Sequence, residues 1–185
     1  MDITGKFVLI TGGNRGIGLA FAEACAHEKA HVILAVRQNE PKLITHLKKL
    51  GAPTVQILEC DLSSFKGVEE LALKMNAIEI EIDILFNNAG QLTGGLIESQ
   101  AIDDIYKMLQ VNVNALIHLS RAIIPAMIKR GSGKIINHAS VSAVMHFPCA
   151  STYAASKAAV WAFTDCIEQE LKGTGVSTLC LFTIP

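Results

Sequence analysis

Short runs that are almost wholly apolar recur along this chain, and segments with helical patterning separate them. Phe7-Val8-Leu9-Ile10 and Val32-Ile33-Leu34-Ala35-Val36 carry no polar residue, and Ile82 to Phe86 carries one. A strand with one face in water alternates apolar and polar residues, whereas a strand apolar on both faces must be covered on both. Further strands are expected at Thr54 to Leu58, Lys134 to Asn137 and Val176 to Phe182. Helices are predicted between them. Gly16 to Glu28 places Ile17, Phe21, Ala24 and Cys25 on one side, and Pro41 to Leu50 opens on a proline in its first turn. Val68, Leu71, Ala72 and Met75 mark the next helix. A long helix over Asp103 to Lys129 is faced by Ile105, Leu109, Asn112, Leu116, Leu119 and Ile123, with Pro125 placed to kink or shorten its last turns. Ser151 to Lys172 is the last helix.

Repeated strand–helix units of this kind connect right-handedly and build an α/β, doubly wound parallel sheet, a Rossmann-type fold. The 185 residues, half of them hydrophobic and 18% charged, fit one domain spanning residues 1–185 with a sizeable core. A formal net charge of −1, from 16 basic and 17 acidic residues, gives no electrostatic case for nucleic acid or an anionic membrane surface. No apolar run approaches the ~20 residues that span a bilayer. Met1-Asp2-Ile3-Thr4-Gly5-Lys6 lacks a charged-then-apolar leader, so no secretory signal is expected. Cys25, Cys60, Cys149, Cys166 and Cys180 are odd in number and widely spaced, which argues against a disulfide framework or a metal centre and for a cytoplasmic setting. Cys149 reads as a small, buried, inert residue.

Thr11-Gly12-Gly13-Asn14-Arg15-Gly16-Ile17-Gly18 follows the first strand and opens the first helix. A tight turn there needs permissive φ angles, and a pyrophosphate needs close approach of the backbone. The helix N-terminus then offers free N–H groups to the anion. Taken alone, the segment is also compatible with an ordinary glycine-rich turn. Further along, Tyr153 and Lys157 stand four residues apart in a run of helix formers, so they share a helical face. A neighbouring ammonium favours the ionised form of a phenol, which suits proton transfer. Alone, such a pair is also compatible with two neighbours on an amphipathic helix.

The glycine spacing Gly-x-x-x-Gly-x-Gly behind Thr11 resembles that of the short-chain dehydrogenase/reductase family, in its compact branch. Other landmarks of that family follow in order. Asp61-Leu62 is similar to its adenine-contacting pair, Asn87-Asn88-Ala89-Gly90 to its Asn-Asn-Ala-Gly, and Val111-Asn112-Val113 to the segment around its catalytic asparagine. Ser140 lies 13 residues before Tyr153, as the family's catalytic serine does. The resemblance implies hydride transfer between a nicotinamide nucleotide and a carbonyl or alcohol. Asn112, Ser140, Tyr153 and Lys157 would be catalytic. Gly12, Asn14, Arg15, Gly16, Ile17, Gly18, Arg37, Asp61, Leu62, Asn88, Ala89, Gly90, Val111, Tyr153 and Lys157 would hold the cofactor. Family members also pair into homodimers or homotetramers, commonly through the helices that carry Asn112 and Tyr153.

The second strand ends Val36-Arg37, with Val36 where NAD-selective sites place an acid. Arg15 and Arg37 suit a 2′-phosphate, so NADP(H) is expected ahead of NAD(H). His138-Ala139-Ser140 stands where Ile-Ser-Ser is common, and Pro185 arrives about two places later than the family's proline. His138 reads as a structural histidine, with substrate contact as the alternative. The family's substrate lid and seventh strand are not in this sequence. Gln91, Leu92, Thr93 and Gly94, with Val141, Ser142, Met145, His146 and Phe147, are expected to wall a mainly apolar substrate pocket. A nucleotide-binding sensor or scaffold without catalysis is the alternative function.

Overall fold

The computed structural model describes residues 2–77 and 80–184. Among them six strands form one sheet: β1 (Phe7–Thr11), β2 (His31–Val36), β3 (Val55–Glu59), β4 (Ile84–Asn87), β5 (Gly133–His138) and β6 (Val176–Leu181). Their order is β3-β2-β1-β4-β5-β6 and every neighbouring pair is parallel. The order reverses between β1 and β4, which opens a crevice above the C-terminal ends of the strands. The helices are α1 (Gly16–His27), α2 (Pro41–Leu50), α3 (Phe65–Ala77), α4 (Ile102–Leu109), α5 (Ala115–Arg130) and α6 (Ser151–Glu170).

The strands divide their side chains between two cores. Val8, Ile10, Val32, Leu34, Ile84, Phe86 and Ile136 pack with Ala22, Cys25, Leu43 and Leu47 from α1 and α2. Leu9, Ile33, Leu85 and Ile135 point the other way, against Val68, Leu71, Leu119, Ile123 and Ile167 from α3, α5 and α6. This two-sided burial is what the unbroken apolar runs require.

Details differ from the sequence reading for identifiable reasons. The buried face of α1 is Gly18, Ala22, Cys25 and Ala26, while Ile17 and Ala24 are exposed. At Gly18 the turn leaves no room for a side chain, while half-buried Phe21 packs on Phe86 of the sheet with ring centroids 4.4 Å apart. A π-helical turn, Gln110–Asn114, joins α4 to α5 in one continuous helix. The wider turn changes the phase of the helix, so fully buried Met108 takes the inward position expected of Ile105 and Leu109, which are half-buried. The helix continues past exposed Pro125 and ends at Arg130, capped by left-handed Gly131 (φ 72°). The β4 strand begins at Ile84, and the carbonyl of Ile82 before it accepts Arg130 Nη2 (2.8 Å). Cys149 is exposed, with a φ of 65°, because its carbonyl accepts the N–H of Gly95 (2.8 Å) across a loop crossing. Pro185 lies outside the described residues.

The continuous helix Ile102–Arg130 has 29 residues and a mean hydropathy of 1.3 over its most apolar stretch, so it is long and apolar enough to cross a bilayer. Scattered polar residues break its apolar runs, which is why no such segment was expected. In the fold, its C-terminal part packs on α3 and its π turn on α6.

Candidate active site

The turn between β1 and α1 is shaped by close approaches. Gly12 is left-handed (φ +65°), and a Cβ there would lie 3.1 Å from Ala89 Cα. A Cβ at Gly18 would collide with Asn88 Nδ2 and the Gly12 carbonyl. Thr11 Oγ1 accepts the N–H groups of Asn88 (3.0 Å) and Ala89 (2.9 Å), and Asn88 Nδ2 donates to the carbonyls of Thr11 (3.0 Å) and Gly12 (3.2 Å). The loop after β4 is thereby fastened to the glycine turn.

The first turn of α1 has no acidic residue, and Arg15 at its N-cap is extended (φ −156°) with no side-chain cap. Its leading N–H groups and dipole are therefore open to an anion. Above Gly16 (φ +54°) an added Cβ would meet nothing within 4 Å. Exposed Arg15 and Arg37 supply positive charge, and Asn14 Nδ2 donates to Glu40 Oε1 (2.8 Å). Asp61 accepts the Ser63 N–H (3.0 Å), which holds its carboxyl below the usual carboxylate range, with Arg37 adding a smaller pull the same way. Leu62 buries its side chain in the core. The turn, the open helix end and the two guanidinium groups fit a dinucleotide phosphate.

On α6, Lys157 is buried with its Nζ 5.8 Å from the centre of the Tyr153 ring. Nζ donates to the His138 carbonyl (2.7 Å). Burial pushes the ammonium down from 10.5 to about 8. Ser140, also buried, follows β5; its Oγ accepts the Ser142 N–H (3.1 Å) and caps a short 3₁₀ turn, Val141–Ala143, that packs on α6. Asn112 sits in the π turn beside half-buried Val111 and is 2% exposed. Its Nδ2 donates to the Gln91 carbonyl (2.9 Å) and Ser156 Oγ (3.1 Å), and its Oδ1 accepts the Gln91 N–H (2.8 Å). A Cβ on Gly90 would stand 3.6 Å from both Asn112 Oδ1 and Lys157 Nζ. Three distant stretches of chain thus meet at one point at the end of β4.

The sequence profile of the short chain dehydrogenase family matches residues 6–183. The chain belongs to the short-chain dehydrogenase family. It is 34% identical over 177 residues to a ketoacyl reductase of Nostoc sp., a match that covers 95% of this chain and 61% of that protein. A short-chain dehydrogenase from Sphingobium yanoikuyae in complex with NADPH superposes with a TM-score of 0.92 at 28% identity, over 97% of this chain and 71% of that one. A bulky-bulky ketone specific alcohol dehydrogenase from Comamonas testosteroni gives 0.91 at 25% identity, over 97% and 72%.

Some parts of this short-chain dehydrogenase site carry no sequence signal of their own. Glu40 and Ser156 act through partners distant in the chain. A buried polar chain beneath the site is likewise invisible in sequence: Asn87 Nδ2 donates to Ser120 Oγ (3.1 Å) and Asn137 Oδ1 (2.9 Å), and Asn137 Nδ2 to Thr164 Oγ1 (3.0 Å). Of the expected substrate wall, Leu92, Met145 and Phe147 are more than half exposed, whereas Ser142 is buried and turned inward.

Proposed function

We propose that residues 1–185 are one NADP(H)-binding domain of an oxidoreductase that moves a hydride between the nicotinamide and a carbonyl or alcohol carbon. The observation that carries this reading is the convergence of Gly90, Asn112 and Lys157, with Tyr153 one helical turn before Lys157. Gly12, Asn14, Arg15, Gly16, Ile17 and Gly18 would hold the pyrophosphate, and Arg15 with Arg37 the 2′-phosphate. Asp61 and Leu62 would border the adenine, while Asn88, Ala89, Gly90 and Val111 line the ribose side.

When bound, the nucleotide supplies the hydride. In reduction, Tyr153 gives its hydroxyl proton to the oxygen that is becoming an alkoxide. Ser140 donates a hydrogen bond to the same oxygen, where charge builds up in the transition state. Lys157 keeps a cation beside the phenol and holds the nicotinamide ribose. Asn112 positions the Tyr153 helix through Ser156, whose hydroxyl donates to the Tyr153 carbonyl (2.7 Å). The exposed apolar side chains Leu92, Met145 and Phe147 favour a medium-sized ketone or alcohol.

Five cysteines free of disulfides suit the cytoplasm. Pairing through the long helix and α6 would give a homodimer or homotetramer, and a monomeric mass in sedimentation would contradict that part.

The test is a fluorescence titration with NADPH and NADH, followed by NADPH oxidation against a panel of ketones and aldehydes. NADPH is expected to bind about tenfold more tightly, ~1.4 kcal/mol, with Arg37→Ala narrowing the gap. Equal affinities would overturn the nucleotide preference. Binding without turnover of any carbonyl would overturn the enzyme reading in favour of a nucleotide sensor.

A further inference from the structure

His138 is the residue at which this chain departs from the family pattern, and the proposed chemistry leaves its side chain unused. It ends β5, the strand between β4 and β6, in register with Leu181. Its ring reaches over both neighbours. Nδ1 lies 3.1 Å from Asn88 Oδ1 in the loop after β4, and Nε2 lies 2.8 Å from Thr183 Oγ1 in the segment after β6. The ring leans on Phe86, with centroids 6.1 Å apart.

The partners assign the protons. Asn88 Nδ2 faces two carbonyls, of Thr11 and Gly12, so the amide nitrogen belongs there and Oδ1 is the acceptor towards His138. Nδ1 therefore carries hydrogen. In a neutral ring Nε2 is then the acceptor, and Thr183 Oγ1 donates to it. The backbone carbonyl of the same residue accepts Lys157 Nζ. One residue thus touches the glycine turn at one remove, the segment beyond β6 and the buried lysine of the site.

We propose that His138 is a positioning residue: its imidazole, as the Nδ1–H tautomer, clamps Asn88 to Thr183 and so fixes the floor of the nucleotide crevice. The proposal rests on the nucleotide-binding reading above. An aliphatic side chain at this place would leave Asn88 Oδ1 without this donor. Asn88 would then be freer to turn, and with it the carbonyl of Gly12 and the shape of the phosphate turn. Burial, aided by the Lys157 cation, lowers the ring to about 4. Lys157 is the charged group facing the ring; its other described neighbours, Asn88, Thr183 and Phe86, carry no charge. The ring is thus a fixed donor and acceptor at neutral pH, not an acid–base group.

The experiment combines NADPH titration of wild type, His138→Leu and His138→Asn with nitrogen-15 NMR of histidine-labelled wild type. His138→Leu should raise the NADPH dissociation constant about tenfold, the loss expected when a half-buried acceptor is left without its donor. His138→Asn, which places an N–H donor close to Nδ1, should recover most of that loss. The NMR signals should show a neutral Nδ1–H ring that does not titrate between about pH 5 and 8. Unaltered binding by folded His138→Leu, while wild type binds NADPH, overturns the clamp alone. An Nε2–H tautomer, or a ring that titrates in that window, also overturns it, even if the leucine variant fails to fold. Wild type that binds no NADPH overturns the nucleotide reading itself.

Discussion

Lys157 shows how this site sets stability against chemistry. Its ammonium is buried, and the described salt bridges do not include it. With a folded value near 8 against an ordinary 10.5, the unfolded chain holds a proton in that window that the folded chain has released. Stability therefore rises with pH from about 8 to 10.5, and below 8 the burial penalty is fully present. Lys157→Met should raise the melting temperature of the nucleotide-free protein at pH 7, by a free energy on the order of 2 kcal/mol, and the advantage should shrink above pH 8. Calorimetry at pH 7 showing a lower melting temperature for the variant would contradict this. In sequence the Tyr153–Lys157 spacing alone was open to two readings, and Ser140 was marked only by the family resemblance, 13 residues before Tyr153. Glu40 and Thr183 were not marked, because their partners Asn14 and His138 lie 26 and 45 residues away.

At the scale of elements, the π turn Gln110–Asn114 is the joint of the site. It turns Asn112 inward to satisfy both backbone groups of Gln91 and to reach α6 through Ser156. Asn112→Ala would take from half-buried Gln91 the partner of its N–H and carbonyl, a cost of about 1 kcal/mol. Chemical denaturation should show that loss, and turnover should fall with it because the Tyr153 helix loses its anchor. A variant of wild-type stability would rule out the joint. The sequence marked one long helix here with Asn112 inward, but not the π turn, since hydrophobic spacing reports an average period and a single wide turn shifts only the local phase. The same averaging put Ile17 on the buried face of α1, where Gly18 and Ala22 lie instead.

At the scale of the whole molecule, the doubly wound sheet follows from apolar strands that must be covered on both faces. The crevice follows from the reversal between β1 and β4. The order of strands is a long-range property that no local pattern carries; only the rule of right-handed crossovers and the glycine turn after β1 pointed to it. The loop after β4 links the glycine turn, built from the first strand–helix unit, to Lys157 on α6, since Ala89 packs on Gly12 and Gly90 lies beside Lys157. The most direct test of this account is Tyr153→Phe, measured for NADPH oxidation with an accepted carbonyl and, in parallel, for NADPH affinity. The substitution removes the phenol oxygen of half-buried Tyr153 and nothing from the glycine turn. Turnover should fall by about 10²–10⁴-fold, the range for loss of a positioned proton donor, with the dissociation constant for NADPH nearly unchanged. Wild-type turnover in the variant would contradict the account.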